Sequence, residues 1–265
     1  MSRFFRTELL SNAEVAAGHR LASFGLPPDI PSPAAGQFFM VGLPGLQDPL
    51  LKRPFSLHRI TGEGDVQILY RIRGKGTRLL AELKEGDPVE VLGPLGTAFP
   101  LDCIGTPVLV GGGLGTVPLV QLALSLSGRS PRIFLGARTA DELLSRDLFQ
   151  EADPGTVMTT EDGTLGLKGL VSEPFAKFLE SGEPCTVYAC GPSPMLAAIS
   201  LICRGKGVRG HVSLEEHMAC GVGACMGCVT DTLDGYKSVC REGPVFSMDR
   251  VRFSLPSVKT RKEGD

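Results

Sequence analysis

Val108-Leu109-Val110-Gly111-Gly112-Gly113-Leu114-Gly115-Thr116-Val117-Pro118-Leu119 is the stretch from which the fold of this chain can be read. Three apolar residues that suit a buried strand run into a glycine turn, and the apolar residues beyond it suit a helix. Such a junction sets backbone N–H groups and a helix N-terminus where a pyrophosphate can rest. The pattern is G-x-G-x-x-P. Proline is at home in the first turn of a helix, where its missing N–H would have no partner anyway. A glycine run alone is also compatible with a bare tight turn. Two further segments repeat the arrangement. Thr160-Glu161-Asp162-Gly163-Thr164-Leu165-Gly166 follows an apolar run at 157–160, and Cys190-Gly191-Pro192-Ser193-Pro194-Met195 follows one at 186–190 and precedes a helical segment. Three loops at the carboxyl ends of strands are where an open α/β sheet takes its ligand.

Working outward, strand-like runs at 107–110, 132–136, 157–160 and 186–190 alternate with helical segments at 117–127, 175–180 and 194–203. Near-continuous apolar strands alternating with helices predict a parallel α/β domain over residues 103–210. Residues 1–102 have another texture. Short β-rich runs at 36–41, 55–60, 66–71 and 88–92 are separated by Pro and Gly, with turn signals such as Thr61-Gly62-Glu63-Gly64-Asp65 between them. That spacing predicts an antiparallel barrel or sandwich. One helix is expected over 77–83, ended by Glu85-Gly86-Asp87-Pro88.

The last region, 211–265, carries four of the eight cysteines and is too short to build much core alone. Cys220, Cys225 and Cys228 have the spacing C-x4-C-x2-C, and Cys240 follows after eleven residues. This is the plant-type [2Fe–2S] spacing. Gly221, Gly223 and Gly227 let the backbone turn tightly and aim N–H groups at the sulfurs. A structural zinc site is the alternative, although only Cys225 and Cys228 have the paired spacing that zinc knuckles prefer. Cys103, Cys185 and Cys203 read as small buried hydrophobes. Cys190 can be read from the residues simply as the end of a strand. The end of the chain, Lys259–Asp265, reads as a frayed tail.

Composition bounds the function. The 265 residues suggest two domains or so, at about 150 residues each. Hydrophobic residues make up 42%, enough for real cores, and the net charge of −2 gives no field that would draw the chain to nucleic acid or an anionic membrane. The 34 glycines follow no collagen period. Trp is absent and there are only 3 Tyr, which weakens a base- or sugar-stacking role. No signal peptide and no apolar run of roughly 18 residues is read, so a soluble, cytoplasmic protein is expected. Cytosolic thiols stay reduced, so clustered cysteines there point to metal or redox work.

A third motif, Arg53-Pro54-Phe55-Ser56, lies in the β-rich region. An Arg fork suits a diphosphate and a Ser hydroxyl can donate to a flavin ring nitrogen. The bland alternative is a strand start with a surface Arg. It is joined by Leu69-Tyr70-Arg71 and by Gly74-Lys75-Gly76-Thr77, where a strand ends in a glycine turn before a helix.

Together these motifs resemble the ferredoxin-reductase-like flavoprotein superfamily: a flavin barrel with R-P-x-S, a nicotinamide domain with G-G-G-x-G and C-G-P, and an appended plant-type cluster. Within it the chain resembles the electron-transfer subunits of class 1B dihydroorotate dehydrogenases. Ser213–Cys225, then Cys228, Cys240 and Gly243-Pro244-Val245-Phe246, carry the likeness, which covers about residues 5 to 250. The resemblance implies FAD contacts at Arg53, Pro54, Phe55, Ser56, Leu69, Tyr70, Arg71, Gly76 and Thr77. It implies NAD over Gly111, Gly112, Gly113 and Gly115 and beside Cys190, Gly191 and Pro192, and a cluster on Cys220, Cys225, Cys228 and Cys240. It further implies a hetero-oligomer, two copies of each chain, with an FMN-containing subunit that oxidises dihydroorotate, electrons passing through cluster and FAD to NAD⁺. Spacing leaves NAD against NADP open: Arg132 and Arg138 are candidates for a 2′-phosphate, with Asp141 and Glu142 nearby. Two other functions remain open, a reductase subunit serving another partner such as a sulfhydrogenase or transhydrogenase, and a zinc-stapled nucleotide-binding regulator. Hydride transfer needs alignment and not a protein base, so no general acid or base is nominated.

Overall fold

A computed structural model of the chain describes residues 3–45 and 48–253. The expected tail at Lys259–Asp265 lies outside the described residues.

The first unit contains β1 (Arg3–Ala16), β2 (His19–Phe24), β3 (Phe38–Gly42), β4 (Arg53–Ser56), β5 (Arg59–Ile60), β6 (Val66–Arg71), helix α1 (Lys75–Glu82) and β7 (Pro88–Leu95). The strands form an antiparallel sheet in the order β4-β3-β7-β1-β2-β6-β5. β1 bridges its halves, pairing through Arg3–Glu8 with β7 and through Leu9–Ala16 with β2. The sheet curls until β4 meets β6: the rings of Phe55 and Tyr70 approach to 5.4 Å. Leu9, Phe24, Phe39, Ile68 and Val91 fill the interior, as the expected barrel requires. α1 begins two residues before the helix read from sequence and closes with Leu83 bonding back to Leu80.

The second unit contains β8 (Thr106–Gly112), α2 (Val117–Ser125), β9 (Arg132–Ala137), α3 (Arg146–Ala152), β10 (Val157–Thr160), β11 (Leu167–Lys168), α4 (Ser172–Leu179), β12 (Cys185–Cys190), α5 (Ser193–Lys206) and β13 (Arg209–Ser213). The remaining elements are β14 (Val229–Thr232), β15 (Gly235–Ser238), the short α6 (Val239–Glu242) and β16 (Val245–Ser247). The second sheet has the order β11-β10-β9-β8-β12-β13-β16, parallel except for β16 at its edge. Alternate residues serve opposite faces, as a pleated strand dictates. Leu109, Ile133, Leu135 and Tyr188 pack under α2 and α3, while Val108, Val110, Phe134 and Val187 pack under α4 and α5. β8 lies between β9 and β12, so the chain direction of winding reverses beside it and leaves a crevice at the strands' carboxyl ends.

The cysteine-rich segment packs against both units. The expected division near residue 210 falls inside β13, and β16 returns to the same sheet. Among the described residues no helix is long and apolar enough to cross a membrane.

Candidate functional site

The crevice is a cavity of about 950 Å³ at the carboxyl ends of the parallel strands, closed on one side by His19 and Arg71 of the barrel. A volume of this order suits a cofactor-sized ligand. Gly112, Gly113, Gly115, Gly191 and Pro192 line it. The glycines have separate reasons to be there. Gly113 has φ +54°, a left-handed conformation that disfavours side chains. A methyl at Gly115 would sit 2.4 Å from the Gly191 Cα, so the first loop and the Gly191-Pro192 loop are in backbone contact. Gly111 lies inside β8, where a methyl would meet the Thr116 side chain at 2.8 Å. A single 3-10 turn, Gly113–Thr116, separates the strand from α2, and Pro118 occupies the first turn of α2. These residues fit a dinucleotide: backbone without side chains approaches the ligand and a helix start lies behind it.

Cys190 lies behind this surface, buried among Leu109, Tyr188 and Val245. Burial first, and Glu215 second, push its thiol well up, against weaker pulls from Ser213 and the Gly191 amide. Glu215 itself reaches the cavity, and desolvation raises its carboxyl. Sequence reasoning had not singled out Glu215. Its place beside β13 was the only signal, and that pairing is not visible in a single chain pattern. Arg132 stands at the start of β9, paired with Asp153 at 3.6 Å, so it is remote from the cavity that Arg138 lines.

The nine residues expected to contact FAD sort by the faces of two strands. Phe55 and Tyr70 point into the barrel, where Tyr70 donates to Asn12 Oδ1 at 3.0 Å. Pro54 and Ser56 lie on the opposite face of β4. Leu69 and Arg71 lie on the outer face of β6: Leu69 packs against Val117 and Leu144, and Arg71 enters the cavity. The Arg53 side chain lies over Gly76, where a methyl would sit 2.5 Å from Nε. Thr77 acts within its own turn, accepting from the amides of Arg73 at 2.9 Å and Gly74 at 3.1 Å. A guanidinium laid across a side-chain-free helix start, beside an outer face bearing a hydroxyl and an apolar surface, fits a flavin dinucleotide.

The cysteine loop is organised by its amides. Val222 and Cys225 donate to Cys220 Sγ at 3.5 and 3.4 Å, Gly223 to Cys240 Sγ at 3.1 Å, and Cys240 to Cys228 Sγ at 3.4 Å. The backbone reverses at Gly221 (φ +73°), Gly223 (φ +80°) and Met226 (φ +53°); the third reversal falls on Met226 and not on the expected Gly227. Desolvation pushes the Cys220 thiol up, but the surrounding amides outweigh it and bring it down to about 6. Burial, then the neighbouring Cys228, push Cys240 up to about 12. A bound cation would hold the buried Cys240 as a thiolate, which is what iron supplies. Cys228 and Cys240 are buried, Cys225 is exposed. Both buried cysteines share a core with Phe38 and Met40 of β3 and Leu95 of β7, so the loop is seated on the barrel. Among the described residues no three His, Cys, Asp or Glu side chains close around one point as a single ion requires. A binuclear centre spreads its four ligands over two irons and does not need that convergence. His217, three residues before Cys220, is exposed.

Comparison with known proteins agrees with this architecture. Residues 215–252 match the iron-sulfur cluster binding domain of dihydroorotate dehydrogenase B, and residues 109–200 match the oxidoreductase NAD-binding domain. The first match sets aside the zinc-stapled regulator. The electron transfer subunit of dihydroorotate dehydrogenase B (NAD(+)) from Desulforamulus reducens is 37% identical over 254 residues, covering 93% of this chain and 97% of that protein. The corresponding subunit from Caldanaerobacter subterraneus is 38% identical over 252 residues, covering 94% and 98%. A solved structure described as the NADH-dependent reduced ferredoxin-NADP oxidoreductase of flavin-based electron bifurcation superposes with a TM-score of 0.82 at 29% identity, covering 93% of this chain and 90% of that one. The chain belongs to the family of dihydroorotate dehydrogenase B (NAD(+)) electron transfer subunits.

Proposed function

We propose that this chain carries FAD and a [2Fe–2S] cluster and links the oxidation of dihydroorotate, on a separate FMN-containing subunit, to the reduction of NAD⁺ in the cytoplasm. The assembly in this reading holds two copies of each subunit. Bound FAD exchanges a hydride with nicotinamide and single electrons with an iron–sulfur centre, and that chemistry belongs to the cofactors. The observation that carries the reading is the cysteine loop seated on strands β3 and β7, while Arg71 of the same barrel and Val229, Thr230 and Asp231 just beyond Cys228 line the nucleotide cavity.

The chain's own residues bind and orient. Arg53 over Gly76 holds the flavin diphosphate, and Ser56 hydrogen-bonds the ring edge from the outer face of β4. Pro54, Leu69 and Arg71 shape the adjoining surface, Phe55 and Tyr70 fix the seam between β4 and β6, and Thr77 fixes the turn before α1. Gly112, Gly113 and Gly115, with Gly191 and Pro192, would hold the dinucleotide, Gly111 inside β8 would leave room for the turn beneath them, and Cys190 would support that loop from behind. Cys220, Cys225, Cys228 and Cys240 hold the cluster, and the amides of the loop bond their sulfurs. Met226 and Val222, 54% and 45% exposed beside Cys225, offer an apolar face for the partner.

An anaerobic absorption spectrum before and after NADH tests the cofactors. Flavin and cluster bands that both bleach are expected; a chain that stays colourless after flavin and iron–sulfur reconstitution overturns the reading. The likeness to the bifurcating oxidoreductase supports a second reading, the same path serving another partner. Co-expression with the FMN-containing subunit separates the two. Dihydroorotate-dependent NAD⁺ reduction supports the first, and NADH-bleachable chains that elute apart without that activity support the second.

A further inference from the structure

We infer that Glu142 sets the preference of the cavity for an unphosphorylated adenosine ribose by pinning Arg138. The inference rests on the NAD-linked reading above and deepens it. In a doubly wound sheet the ribose falls beyond the carboxyl end of the second strand, which here is β9. Ala137, Arg138, Glu142 and Glu161 line the cavity at that place. An unengaged arginine there would grip a 2′-phosphate as a fork. Arg138 is engaged. Its Nε donates to Glu142 Oε2 at 3.2 Å and a terminal N–H donates to Oε1, so one carboxylate takes both prongs. Glu161 acts on the same guanidinium from the next loop.

The arrangement is braced. Ala140 N donates to Thr164 Oγ1 at 2.9 Å, which fixes the turn that carries Glu142. Glu161 N bonds Ala137 O at 3.0 Å and Asp162 N bonds Arg138 O at 3.2 Å, which ties the loops after β9 and β10 together. Arg132 is committed to Asp153 at the far end of β9. Arg71 approaches Glu142 from the barrel, and the reading assigns it to FAD. A 2′-phosphate would have to displace one carboxylate and stand beside another. A ribose hydroxyl instead donates to the carboxylate already there.

The test is calorimetric titration of the FAD- and cluster-loaded protein with NAD⁺ and with NADP⁺, which needs no turnover. The unaltered chain is expected to bind NAD⁺ at least about tenfold more tightly. Glu142→Gln should narrow that preference by about tenfold, chiefly by strengthening NADP⁺ binding. Glu161→Gln should narrow it less. The double variant Arg138→Ala/Glu142→Gln should lose the gain, because the freed guanidinium supplies it. Asp141→Asn is the control for a general field effect, since it removes the same charge one residue away from the carboxylate that holds Arg138. An unchanged preference in Glu142→Gln, or an equal narrowing in Asp141→Asn, overturns the inference. If the unaltered chain binds neither dinucleotide, it is the NAD-linked reading that fails, and the inference falls with it.

Discussion

At Gly115 the room for a side chain is taken by another loop's backbone. A methyl there would lie 2.4 Å from the Gly191 Cα and 2.5 Å from its nitrogen, and neither atom can rotate aside. Gly113 is constrained differently: its φ of +54° strains an alanine, yet nothing lies within 4 Å of the added methyl. The two residues therefore separate conformation from contact. Gly113→Ala should cost about 1 kcal/mol, the strain of a left-handed residue. Gly115→Ala should cost about 2 kcal/mol by forcing the loops apart, and should weaken NAD⁺ binding by about tenfold or more. Denaturant titration and calorimetry on both variants check this. Equal losses of NAD⁺ affinity would mean that the approach of the two loops does not shape the cavity.

At the scale of the element, α1 depends on a side chain that sequence reading passed over. Asn12 of β1 donates to the carbonyls of Leu80 and Leu83 at 2.9 and 3.0 Å, closing the end of α1, and accepts from Tyr70 at 3.0 Å and Arg20 at 3.3 Å. It thus joins two neighbouring strands to the helix whose start lies under Arg53. Asn12→Ala leaves carbonyls and donors without this partner and should cost about 2 kcal/mol. The FAD content of the purified protein should fall with it, and unchanged FAD retention would show that α1 is positioned by its apolar face alone. Asn12 marks where legibility stops. β8, β9 and β12 were readable because burial on both faces leaves unbroken apolar runs. The cysteine spacing was readable because coordination fixes it locally. β1 was not, because only Leu9 of its fourteen residues is buried, and although burial alternates from Phe4 to Leu10, the exposed Phe4 and Leu10 blur that alternation in the sequence. Arg132 and Arg138 looked like neighbours, but a strand of six residues puts them about 20 Å apart at opposite ends of the sheet. The partnership of Asn12 with Leu80 and Leu83, like that of Glu142 with the cavity, exists only once the register and the packing of elements are set.

The whole molecule works through the contact between the barrel and the α/β unit, because the cavity is lined from both. Among the links that cross that contact are three near β5 and β6. Leu69 packs on Val117 and Leu144, the Ile60 amide donates to Gln121 Oε1 at 2.8 Å, and His58 Nε2 lies 2.9 Å from Ser145 Oγ. His58 is 2% exposed, and its Nδ1 has no hydrogen-bond partner among the described residues. Burial first, and the charge of Arg59 second, lower its pKa from 6.5 to about 4. The folded chain therefore holds His58 neutral at pH values where the unfolded chain protonates it. The stabilisation is complete above about pH 6.5 and is lost as the pH falls from there toward 4, a total of about 3 kcal/mol for one such group. Urea titrations of the unaltered chain at pH 7, 6 and 5 should show that decline, with much of it lying above the range in which most carboxylates titrate. His58→Gln can still bond Ser145 but cannot take up a proton there, so its stability should change far less between pH 7 and pH 5. If the two chains lose stability in parallel, proton uptake at this contact is not what the acid limb reports, and the barrel and the α/β unit are held together chiefly by Leu69 and its apolar neighbours.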